Sequence, residues 1–77
     1  LNKAIELNSV SAEAYFTRGL IKSRQGDQKG AILDCNSAVQ LNPRYAEVYY
    51  VRGVIRHSLG EENDGCLDLS KAGELGY

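Results

Sequence analysis

His57 is the single histidine of this 77-residue chain, and Cys35 and Cys66 are its two cysteines. Together they offer three zinc donors at irregular spacing, where a closed zinc site takes about four. Two cysteines are also too few for a disulfide framework. Both read as small buried hydrophobes. No Ser-His-Asp or Cys-His arrangement is signalled, and Glu61-Glu62 stand where a helix would start, a place that favours acidic side chains. Gly26 and Gly60 lack the neighbouring Lys-Ser/Thr that completes a phosphate-binding loop. No enzyme activity, metal or cofactor is therefore expected. The residues with the clearest chemical pairing are Arg18 and Arg52, each followed sixteen positions later by an aspartate, Asp34 and Asp68. That repetition suggests an ion pair between neighbouring helices, which would fix register more than it adds stability. The alternative is an anion-binding track made by the two arginines.

The elements that must hold these residues are legible in a self-overlay. Shifting the chain by 34 places brings Ala12-Glu13 onto Ala46-Glu47, Tyr15 onto Tyr49, Arg18-Gly19 onto Arg52-Gly53 and Ile21 onto Ile55. Gly26 then meets Gly60, Leu33-Asp34 meets Leu67-Asp68, Ala38 meets Ala72 and Leu41 meets Leu75. The opening residues obey the same shift, with Asn2, Ala4, Leu7 and Asn8 meeting Asn36, Ala38, Leu41 and Asn42. The chain thus divides into the tail of one unit (1–11), one full unit (12–45) and a nearly complete one (46–77). Such a period is the signature of a repeat architecture.

Each unit reads as two helices. The first predicts helices over 12–25 and 28–41, separated by a Gly26 stop and an Asp27 N-cap and ended by Asn42-Pro43. The second predicts helices over 46–59 and 62–74. Gly73 and Gly76 are expected to loosen the last of these. Connections this short force antiparallel neighbours. Gly19 and Gly53 lack a Cβ where helices would approach, with Ala31 and Gly65 as small partners.

At this point the chain resembles the tetratricopeptide repeat (TPR) family, in a Tyr-x-x-Arg-Gly subtype. Tyr15, Gly19, Gly26-Asp27, Ala31, Ala38 and Asn42-Pro43 carry the resemblance in one unit, and Tyr49, Gly53, Gly60, Gly65 and Ala72 in the next. It departs from the common pattern at Arg18, Lys22 and Cys35, and at their counterparts Arg52, Arg56 and Leu69. The resemblance implies an all-α fold, a right-handed superhelical stack of antiparallel helix pairs forming a single TPR-like α-solenoid fragment. It also implies that the first helix of each pair lines a concave groove. The residues expected to line that peptide-binding groove are Glu13, Phe16, Thr17, Leu20 and Arg24, with Glu47, Tyr50, Val51, Val54 and His57. The competing expectation is that Phe16 and Tyr50 simply pack against the next helix. These positions lack the Lys, Asn and Arg set with which some family members clamp a chaperone's C-terminal carboxylate.

The function so implied is non-covalent binding of a protein or peptide, the alternative being an architectural spacer or docking segment of a larger protein. Lys plus Arg number 9 against 10 Asp plus Glu, a net charge of -1, which gives no pull toward nucleic acid or an anionic membrane. No apolar run approaches the ~20 residues of a membrane span. Two free cysteines suit a reducing compartment such as the cytoplasm. The missing initial Met is what a piece of a longer protein would show, so a targeting signal could lie upstream. Apolar residues near both ends (Leu1, Ala4, Ile5 and Leu7; Leu67, Leu69 and Leu75) imply weak end-to-end self-association or marginal stability as a monomer.

Overall fold

The computed structural model describes residues 11–77. They form four helices: α1 (Ala12–Arg24), α2 (Gln28–Leu41), α3 (Ala46–Ser58) and α4 (Glu62–Glu74). Among the described residues there is no strand. The part of the opening segment expected to end a preceding helix lies outside the described residues.

Capping sets the helix limits. Ser11 accepts a hydrogen bond from the Ala14 N–H, and Asp27 accepts one from the Gly30 N–H at 2.9 Å. At the C-terminal ends, Gly26 and Gly60 take φ of 90° and 87°, the left-handed region that glycine enters without a steric penalty. Beyond Gly26, the Asp27 N–H returns to the Lys22 carbonyl at 2.8 Å, and the Gly26 N–H to that of Ser23 at 3.1 Å. This pair of bonds ends the helix while satisfying its last carbonyls. Gly76 builds the same terminus, with the Tyr77 N–H on Ala72 O at 3.0 Å and the Gly76 N–H on Gly73 O at 3.1 Å. The expectation that Gly73 and Gly76 loosen the last helix is corrected: α4 runs through Gly73, and Gly76 closes it.

α1 packs on α2, and α3 on α4, more extensively than α2 packs on α3. Within each pair the glycines set the approach. A Cβ added at Gly19 would lie 3.2 Å from the Ala31 carbonyl oxygen. One added at Gly53 would lie 2.8 Å from the Gly65 carbonyl oxygen. Between the pairs sits the core cluster Phe16, Cys35, Ala38 and Val48, flanked by Leu20, Val39, Tyr45 and Val51. Cys66, expected to be buried, is exposed. The 34-residue shift explains the difference between the cysteines. Cys35 faces the junction of the two pairs, whereas Cys66 takes the place of the half-buried Ile32.

Candidate protein-binding face

The tyrosine, arginine and aspartate of each unit form one constellation. The Arg18 guanidinium stands 5.4 Å from the centre of the Tyr15 ring and donates to both Asp34 carboxylate oxygens, at 3.0 and 2.8 Å. Arg52 repeats this above Tyr49, with both bonds to Asp68 at 2.8 Å. Lys22 adds a 3.4 Å contact to Asp34, and Arg56 a 3.1 Å contact to Asp68. The hydrogen bonds from Arg18 hold the Asp34 carboxyl below its ordinary pKa, with Lys22 reinforcing them, although burial opposes both. The pairing read from the sequence is thus present. Cations committed to buried carboxylates in this way serve the helix-to-helix contact and argue against a free anion-binding track.

Several partners of this constellation were not foreseen, the Lys22 and Arg56 contacts among them. Arg52 also donates to the Asn36 side-chain oxygen at 2.8 Å, which ties the second unit back to the first. The ring stacking could have been read from the spacing, because residues three apart on a helix are neighbours.

The expected groove residues divide. Glu13, Thr17, Arg24, Glu47, Tyr50, Val54 and His57 are exposed, and Leu20 is half-buried. Phe16 is not among the exposed residues. It is buried, edge-on to Tyr45 with ring centres 5.3 Å apart. For Phe16 the packing alternative therefore holds, and its cause is a ring supplied from the connection between the units. Val51 also turns toward that core cluster. A depression of about 400 Å³ is lined by Val54, His57, Ser58 and Leu69. Tyr77, which sequence reasoning did not place at the site, lies against Tyr50 with ring centres 4.9 Å apart.

What this face offers is apolar and aromatic surface with charges at its margins. Burial pushes the Cys35 thiol up to about 11, which keeps it protonated and unreactive. Among the described residues no group of three or more His, Cys, Asp or Glu could hold a metal ion, and no helix is long and apolar enough to cross a membrane.

Comparison with known proteins agrees with the geometry. Residues 12–45 match the tetratricopeptide repeat. The chain is similar to a solved structure described as the crystal structure of MamA, with 29% sequence identity and a TM-score of 0.87. That likeness covers 97% of this chain, which spans 44% of the length of the other. No curated protein matches. The fold is an all-α stack of helix pairs of the tetratricopeptide type, a repeat that generally serves protein–protein interaction.

Proposed function

We propose that the chain binds a segment of a partner protein in the concave groove of its helix stack. The observation that carries this reading is the groove-facing side of α3, where Tyr50 and Val54 are exposed beside the depression at Val54, His57 and Leu69. An aromatic and an aliphatic side chain left open one turn apart give a ligand apolar surface to bury. Glu13 and Glu47 stand in the first turns of α1 and α3, whereas Arg24 and His57 stand in their last turns. A ligand with apolar residues in the middle, basic residues toward Glu13 and Glu47 and acidic ones toward Arg24 complements this pattern. The Tyr-x-x-Arg-Gly constellation, which we infer marks a subtype of the repeat, supports the groove by fixing the helices behind it.

The test is a peptide array followed by titration of the best binders. Tyr50→Ala weakens binding by about tenfold, the size of one buried aromatic contact at an interface. Glu47→Lys shifts preference away from basic peptides. Phe16→Ala is unsuitable as a groove probe because Phe16 is core. Absence of saturable binding, or binding indifferent to Tyr50→Ala, overturns the groove reading and favours the spacer.

A further inference from the structure

Leu33 and Leu67 occupy the same place in the two units, in the middle of α2 and α4. They are the most exposed large apolar side chains among the described residues, at 65% and 68%. A neighbouring unit covers neither. α3 and α4 follow the first unit and leave Leu33 open, and α1 and α2 precede the second and leave Leu67 open. The exposure is thus a property of the repeat, and a further unit stacked in the same way at either end would preserve it. Each leucine is directly followed by a buried aspartate, Asp34 or Asp68, that an arginine grips at two points. That grip fixes the rotation of α2 and α4 about their axes and points the leucines outward. Leu67 also lies two residues from Leu69, about 200° around the helix, so it faces away from the depression that Leu69 lines.

One turn before each leucine the charges are opposite. Lys29 precedes Leu33 on α2, and Asp64 precedes Leu67 on α4. Both are exposed and, among the described residues, neither is in an ion pair. Lys29 stands in the first turn of α2, where the helix dipole disfavours a cation, so its own helix gains nothing from it. From this we propose that two copies of the chain pair through this face around a two-fold axis, with α2 of each copy lying on α4 of the other. Leu33 of one copy then meets Leu67 of the second, Lys29 meets Asp64, and each contact is made twice. The face is self-complementary in charge as well as in apolar surface. The contact closes on itself, so association stops at a dimer. Two leucines and two charges from each copy are well under a standard interface, and the dissociation constant is accordingly about 0.1–1 mM.

Sedimentation equilibrium of the full chain from micromolar to millimolar concentration tests this, with circular dichroism verifying that each variant remains folded. The expected mass rises with concentration toward that of a dimer and goes no further. Leu33→Glu weakens the dimer by about tenfold or more, because the symmetry removes the leucine contact twice. Lys29→Glu and Asp64→Lys each weaken it by about fivefold, since each sets like charges opposite one another. The two reversals combined in one chain restore the wild-type dissociation constant. None of these substitutions touches a groove residue, so peptide binding and pairing fail separately. A wild-type monomer at every concentration overturns the proposal, and so does a combined reversal that stays weak. A mass that grows past a dimer, or a dimer indifferent to Leu33→Glu, also overturns it, because the contact then lies elsewhere on the molecule.

Discussion

The two Arg–Asp pairs share a geometry but differ in their access to water. The Arg18 side chain is 58% exposed, whereas that of Arg52 is 13% exposed. Water competes for the first pair and far less for the second, so the pairs differ in strength although both are two-point contacts of similar length. A double-mutant cycle on Arg52 and Asp68 is expected to give a coupling of about 1–3 kcal/mol, and the same cycle on Arg18 and Asp34 a smaller one. Equal couplings would count against this account. The Asp34 carboxyl is held below its ordinary value of 3.8, chiefly by the hydrogen bonds from Arg18. The unfolded chain therefore binds a proton at this site more readily than the folded one. Its contribution is complete above the ordinary value, and it is lost as pH falls through the lower, folded value. Asp34→Asn should flatten that acid limb in urea titrations repeated at successive pH values. The cysteines separate just as cleanly. A thiol-alkylating reagent at mildly alkaline pH is expected to label exposed Cys66 in the native chain and buried Cys35 only after denaturant is added. Native labelling of both would contradict the packing around Cys35.

At the scale of the helices, glycine has three distinct uses, and substitution by alanine tells them apart. In an unobstructed helix, Gly→Ala stabilises by up to about 1 kcal/mol. Gly73 lies in α4 with open space around it, so Gly73→Ala should show that gain. Gly53 faces the Gly65 carbonyl oxygen, and an added Cβ at 2.8 Å forces backbone apart. Gly53→Ala should cost about 1–3 kcal/mol despite the better helix propensity. Gly26 also has open space, but its φ of 90° penalises any Cβ, so Gly26→Ala should cost about 1 kcal/mol. Urea midpoints of the three variants test the ordering, and a stabilising Gly53→Ala would remove the close approach of α3 and α4. Most helix limits were legible in the sequence, because local signals decide them, whereas Gly73 and Gly76 were expected to loosen the last helix and do not. The Gly26 stop, the Asp27 cap and the Asn42-Pro43 end are properties of a few consecutive residues, and the repeat doubled the evidence. The ends differed by one residue, with α1 and α3 stopping at Arg24 and Ser58. The candidate site was less legible. Periodicity puts Phe16 and Leu20 on the helix face that was expected to line a groove. Whether that side is wet depends on Tyr45, nearly thirty residues further on and positioned by the connection between units. The Asn36–Arg52 bond and the Tyr77 ring on Tyr50 are likewise contacts across units, and spacing within one helix carries no signal for them.

For the molecule as a whole, the junction of the two pairs decides how they unfold. The described residues span 39 × 28 × 14 Å, a slab in which few side chains lie far from water. The buried apolar residues are mostly small, with Ala31, Cys35, Ala38 and Ala72 beside Phe16, Val48 and Ile55. A stack of this kind is stabilised by the sum of each pair's own stability and the contact between pairs. Here that contact rests on Val48, which is fully buried among Phe16, Cys35 and Ala38. Val48→Ala removes two methyl groups from the centre of the junction while leaving the packing inside each pair intact. Its expected cost is about 1–3 kcal/mol, the transfer free energy of the lost groups plus the cavity left behind. The more telling consequence is in the shape of the transition. With the contact weakened, the pairs unfold less in concert, so the dependence of stability on urea should shallow as well as its midpoint fall. Gly53→Ala acts inside the second pair instead, and should lower the midpoint with a smaller change in slope. Circular dichroism across a urea series reads both quantities. If Val48→Ala kept the parent slope, the two pairs would be coupled by more than this cluster, with the Arg52–Asn36 bond the next contact to remove.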